Sequence, residues 1–287
     1  MRLQVIAVLG VMLVARSLYA DTRAGSWLSV YSDNDRLTVI SPQLDVRADV
    51  REDVEVEAAY DVDIISAASV DVVTAASPRG YREERHGVRV GAAFSPEPGT
   101  RMTLRYLPSW ETDYVSHGVS GAVSREWLER RLETRADVRF NFDRVGRAGR
   151  DRSLWPALDT RALGLAAGWV FSPSTVGEVV YELGWLAGFQ ASPYRYVPIR
   201  WDTMTVLVPE TAPSSRWRHA LAAHVKHALA GNLFALARYR IYGDSWGIVS
   251  HTLEGEVTRA WKTDRVLAGL SARAYRQTDA SFYRESY

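Results

Sequence analysis

From Leu132 to Asp143 the chain changes character at every residue. Leu132, Thr134, Ala136, Val138, Phe140 and Phe142 alternate with Glu133, Arg135, Asp137, Arg139, Asn141 and Asp143. Successive side chains of an extended strand point to opposite sides, so this segment makes one apolar face and one charged face. Wound as a helix, it would bring Glu133 and Asp137 beside Leu132 and Ala136 and leave no apolar stripe. The same period recurs elsewhere. Leu44, Val46, Ala48 and Val50 alternate with Asp45, Arg47, Asp49 and Arg51. Val54, Val56, Ala58, Tyr60 and Val62 alternate with Glu55, Glu57, Asp61 and Asp63, and Val88, Val90, Ala92 and Phe94 flank Arg89.

Read this way, the chain holds thirteen strands, near 27–32, 37–50, 54–64, 81–95, 101–111, 114–125, 131–143, 161–171, 175–187, 216–229, 233–243, 247–260 and 265–277. Short turns such as Arg51-Glu52-Asp53, Ser172-Pro173-Ser174 and Ala230-Gly231-Asn232 join many of them. Three longer connections, Ile65–Gly80, Arg144–Thr160 and Gly188–Ser215, follow the third, seventh and ninth strands, so all fall at one end of the array. Short turns at one end and long loops at the other are the habit of outer-membrane barrels. Arg216–Leu236 is rich in Ala and Leu and also reads as an amphipathic helix, but Gly231-Asn232 and the run Tyr239–Tyr242 favour two strands and a turn.

The N-terminus carries an address. Arg2 precedes an apolar run from Val5 to Val14, and Leu18-Tyr19-Ala20 sets a small residue before Asp21. That order is the pattern of a secretory signal peptide, and the run is too short to span a bilayer as a helix. It predicts residues 1–20 as signal and 21–287 as one barrel domain. The chain has no cysteine, which excludes disulfides, thiolate metal sites and a lipidated N-terminal cysteine. A formal net charge of +1 gives no long-range field and no reason to expect nucleic acid.

An apolar face opposite a charged face suits a soluble sandwich or a membrane barrel. Ten Trp and fourteen Tyr, many at predicted strand ends, favour interfacial belts and hence the barrel. The expected fold is all-β: an antiparallel up-and-down transmembrane β-barrel of about 12–14 strands. Outer-membrane lipid and the barrel-assembly machinery are the expected partners, and no cofactor is expected. A barrel with both ends in the periplasm needs an even number of strands. The odd count therefore predicts that the chain is incomplete at its C-terminus.

Three stretches carry a family likeness. DVDIISAASVDVVTAASPRGYREERHG (Asp61–Gly87), FQASPYRYVP (Phe189–Pro198) and YGDSWGIVSHT (Tyr242–Thr252) resemble the bacterial family called domain of unknown function 3570. The resemblance covers nearly all of the chain after the signal. It implies an outer-membrane β-barrel and no agreed activity. The small-residue stretch Ile65–Pro78 is expected to cap one end of that barrel.

Candidate sites lie on the charged face. Asp61, Asp63 and Asp71 are oxygen ligands of the kind a hard cation uses, with Arg85 and Arg89 expected to neutralise Asp61 and Asp63 instead. Glu55, Glu57, Glu133, Arg135, Asp137, Arg139, Glu178, Glu182, Arg218 and Lys226 are expected to line a mixed-sign lumen with those four strand residues. His224 and His227 have helical spacing, yet strand alternation sends them to opposite faces. Ser116-His117 and Ser250-His251 are split the same way, and no G-x-S-x-G motif is present. The expected role is passive: a narrow solute channel or a scaffold for outer loops, not an enzyme. The rivals are a secreted ligand-binding sandwich and a membrane enzyme with a site at the loop ends.

Overall fold

The computed structural model describes residues 15–16, 21–32, 37–67, 81–201, 204–261 and 266–282. Among them the chain is all-β, with one 3₁₀ turn at Arg152–Leu154 and no α-helix. A two-residue bridge, β1 (Ala15–Arg16), pairs onto β2 (Thr22–Ser32). Then follow β3 (Leu37–Arg51), β4 (Val54–Ala67), β5 (Tyr81–Phe94), β6 (Thr100–Trp110), β7 (Tyr114–Trp127), β8 (Leu132–Val145), β9 (Ala157–Ser172) and β10 (Thr175–Gly188). After a small hairpin, β11 (Tyr196–Trp201) and β12 (Met204–Pro209), come β13 (Ser215–Leu229), β14 (Leu233–Asp244), β15 (Val249–Trp261) and β16 (Val266–Gln277). Apart from β11 and β12, each strand bonds to the next in chain order, forming one antiparallel sheet.

The thirteen alternating segments are β2–β10 and β13–β16. Two begin earlier than the alternation suggests. Thr22–Ser26 has no apolar period, but it pairs residue for residue with Leu44–Ala48 of β3. Ala157–Thr160 is likewise held by Asn141–Arg144 of β8. Arg216–Leu236 is two strands and a turn. β13 pairs with β10 along its whole length, so tertiary pairing overrides the helix propensity of its alanines. Gly231 (φ +73°) and Asn232 (φ +58°) supply the left-handed turn before β14. The connection Gly188–Ser215, expected only as a long connection, contains the β11–β12 hairpin.

The registers carry the alternation across the sheet. Arg47, Glu57, Gly91, Arg105, Ser120, Arg139, Ala162, Gly184, Arg218 and Asp244 are cross-strand partners in turn, one row on one face. The opposite face is apolar and bare: Leu104 is 63% exposed, Leu253 56% and Phe142 55%. The buried apolar residues are few. Ala59, Ala93, Leu186, Ala220 and Ala260 lie on the charged face, and Trp155 lies in a loop. Among the described residues no second sheet stacks on the apolar face.

The described strands do not close into the expected barrel. β16 bonds to β15 alone, and β2 bonds to β3 and to the short β1. β2 and β16 run in the same direction, so antiparallel closure between them requires a further strand. The expected cap at Ile65–Pro78 falls mostly at 68–80, outside the described residues.

Candidate functional site

The charged face is a lattice of ion pairs laid across neighbouring strands. Glu55 accepts from Arg101 at 2.6 Å and meets Arg23 at 3.5 Å. Glu57, directly opposite Arg47, bonds Arg105 and meets Arg47 at 3.9 Å. Arg135 lies 3.9 Å from Asp137, and Glu178 lies 3.6 Å from its cross-strand partner His224. Glu182 reaches Arg240 at 3.3 Å, while Glu254 sits between Arg238 (3.6 Å) and Arg273 (3.3 Å). The residues expected to line a lumen do share a face; Glu55, Glu57, Arg85, Glu178 and Glu182 are ion-paired across strands, and Arg135 with Asp137 along one strand.

The predicted neutralisation of Asp61 and Asp63 is not what forms. Arg85 turns to Glu111, 3.7 Å away, although Asp63 is its cross-strand partner. Asp63 accepts from the Ser41 hydroxyl at 2.6 Å. Asp61 folds across Gly87, where an added Cβ would lie 2.5 Å from its Oδ2. Asp137 does the same over Gly164 and Asp45 over Gly25, each directly opposite. Each of these three short acidic side chains lies over the glycine opposite it. Arg89 keeps a buried Nε with no acceptor among the described residues. Glu133 has no ion pair there, and Lys226 rests 5.6 Å from the Phe234 ring centroid. Asp71 lies outside the described residues, among which no three His, Asp or Glu side chains gather as a metal cluster.

The histidines are placed in a way the sequence did not reveal. His224 faces the charges, and His227, opposite Thr175, faces the apolar side. Four others share one motif on the apolar face. Nδ1 of His86, His117, His219 and His251 meets the hydroxyl of Tyr60, Tyr106, Tyr181 and Tyr239 at 2.8, 2.6, 2.8 and 2.7 Å. In each case Tyr and His sit diagonally on adjacent strands, with His nearer the long-loop end. A Tyr hydroxyl and a His nitrogen satisfy one another on a surface that otherwise offers neither a partner.

These pairs obey a regular slope. Following partners from His86 through Trp110 reaches Val115, and His117 stands two residues further along β7. From His117 the partners are Phe142, Asp159, Ala187 and Ser215, and His219 stands four residues beyond Ser215. From His219 they are Gly243 and Val249, and His251 stands two beyond Val249. The displacement is one residue per strand throughout. Trp110, Trp185 and Trp217 lie on the same face near the long-loop end, and Trp127, Trp169 and Trp261 near the short-turn end.

The long-loop end is itself ordered. Arg147, in the loop after β8, donates to Pro193 O at 2.7 Å and bonds the Tyr196 hydroxyl; the Ala148 N–H donates to Tyr194 Oη at 2.8 Å. Two of the long connections are thus docked on each other. Asp244, fully buried, closes the β14–β15 turn by accepting from Trp246 N (2.9 Å) and Ile248 N (3.1 Å) as well as Arg216 and Tyr242.

Residues 157–287 match the model of the family described as protein of unknown function DUF3570. The match begins at the first residue of β9 and runs past β16. Of the three stretches that resemble DUF3570, Phe189–Pro198 and Tyr242–Thr252 lie within it, and Asp61–Gly87 lies outside. The likeness expected over nearly the whole chain is thus matched over its C-terminal part. No curated protein matches the chain.

Proposed function

We propose that this protein is an outer-membrane β-barrel of a Gram-negative bacterium, exported by cleavage before Asp21 and inserted by the barrel-assembly machinery. Its apolar face meets lipid and its charged face lines a narrow lumen. The role is passive, either a restricted path for small solutes or a scaffold for the docked loops, and not catalytic.

The observation that carries this reading is the slope of the Tyr–His pairs. If they lie at one height, one residue per strand fixes the strand tilt. With a rise of about 3.3 Å per residue and about 4.8 Å between strands, the tilt is about 35°, within the range that closed barrels adopt. The Trp positions give a height. Trp110 is opposite Val115, twelve residues from Trp127 along β7. At that tilt the two belts stand about 30 Å apart, the thickness of a bilayer's apolar layer. A bare apolar face, with no second sheet stacked on it among the described residues, fits lipid as its partner. The split of Ser116 from His117 and of Ser250 from His251 supports a passive role.

Cell fractionation tests the location. Mature protein should pellet with the outer membrane and need detergent for release; recovery in the soluble periplasm would contradict the reading.

A further inference from the structure

The charged face is not evenly filled. β9 and β10 present Thr160, Ala162 and Gly184 to it, side chains too short to cover the sheet, while Gly164 is covered by the Asp137 carboxylate. On one side rise Arg135 and Arg139 of β8; on the other rise Arg218 of β13 and Arg240 of β14. The result is a cleft of about 390 Å³ with arginine walls, its small-residue floor bordered by Val180 and Leu186 of β10. That volume suits a small molecule.

The charges in the cleft do not balance. Asp137 faces Arg135 and Glu182 faces Arg240. Arg139 and Arg218 have no carboxylate within ion-pair reach among the described residues. Arg218 is further confined: its Nε is buried without an acceptor among the described residues, and Arg216, two residues before it, takes Asp244. A buried guanidinium donor without an acceptor is costly, and a small shift of the Arg218 side chain towards an anion in the cleft would satisfy it. Arg139 and Arg218 occupy one cross-strand row with only Ala162 and Gly184 between them. Both residues line the one cleft, and arginine forks match carboxylate and phosphate oxygens in pairs.

We infer that this cleft is a binding site for a small polyvalent oxyanion, held between Arg139 and Arg218 over the Ala162–Gly184 floor. It deepens the lumen proposed above by giving it a solute class, and it rests on that reading for access. Glu182 sets the affinity from within, because its carboxylate competes with the ligand for Arg240. An anion with two or more charged groups bridges the walls; a neutral sugar of similar size does not.

The test is calorimetric titration of the folded full chain in detergent, with citrate and pyrophosphate as the carboxylate and phosphate probes and trehalose as the neutral control. Either anion should bind and trehalose should not. R139Q/R218Q should weaken binding by about tenfold or more. Glu182→Gln should tighten it, a gain that a misfolded chain cannot imitate. Gly184→Glu would place a tethered carboxylate beside Arg218, where an added Cβ meets only the Arg218 Cβ at 3.7 Å. That variant should stay folded, by circular dichroism and heat-modifiable migration, and lose the anion. Absence of binding by both anions, binding by trehalose alone, or unchanged binding in R139Q/R218Q would overturn the site. Outer-membrane protein that binds neither anion would remove the site and leave the barrel. Anion binding by a chain recovered without detergent would keep the site and remove the barrel.

Discussion

The hydroxyl of Tyr181 lies 2.8 Å from Nδ1 of His219, on a face where the neighbours are Val179, Leu183 and Leu221. Each residue answers the other's need for a polar partner in apolar surroundings. Tyr181→Phe should therefore cost about 1–2 kcal/mol, the usual loss when a buried polar atom is stranded. Removing both groups together, Y181F/H219L, should cost less than the sum of the single changes. Urea unfolding in lipid vesicles measures all three. Additive losses would show that the pair is not coupled.

Val138 and Arg139 are neighbours in sequence and opposites in surroundings. Val138→Arg puts a cation on the apolar face, which the proposed barrel turns to lipid, and should destabilise by about 2–4 kcal/mol near the bilayer midplane. Arg139→Ala should cost less, because Arg139 has no ion pair among the described residues. Reversal of that order would reverse the facing.

Asp244 closes a turn rather than a metal site. Asp244→Ala strands the buried guanidinium of Arg216 and frees two backbone N–H groups of the β14–β15 turn. A loss of about 3–5 kcal/mol is expected from breaking such a buried pair. Asp244→Asn keeps an acceptor and should lose less. Equal losses in the two variants would mean that charge alone matters.

Arg147 joins the loop after β8 to the insertion that holds β11 and β12. Arg147→Ala should leave the sheet intact and speed proteolysis within 189–214. Limited digestion followed by mass spectrometry reads this, and an unchanged cleavage rate would contradict the docking.

The strands were legible because one face of each must be apolar and the other charged, which leaves a period-two record even in a short segment such as Val54–Asp63. The sharing of a face by Glu57, Arg139 and Arg218 follows from the same record. What the sequence could not give was register. For Arg85 even register would not have sufficed: it stands opposite Asp63, as expected, yet its side chain turns to Glu111. Nor could the sequence show that Gly87 and Gly164 stand opposite Asp61 and Asp137. The Tyr–His pairs were hidden for the same reason, since each joins strands 11 to 38 residues apart. A search for Tyr on one strand and His near the start of the next would have found them. The β11–β12 hairpin was missed because Pro198 argues against a strand and Met204–Pro209 is too evenly apolar to alternate.

The central claim is that the apolar face meets lipid. Because the chain has no cysteine, a single reporter can be placed anywhere on β8. Cysteine at 138, 139, 140, 141 and 142 in turn, labelled with a fluorophore, can be compared in vesicles with and without brominated acyl chains. Quenching should be strong at 138, 140 and 142 and weak at 139 and 141. Uniform quenching, or strong quenching at 139 and 141 alone, would contradict the account.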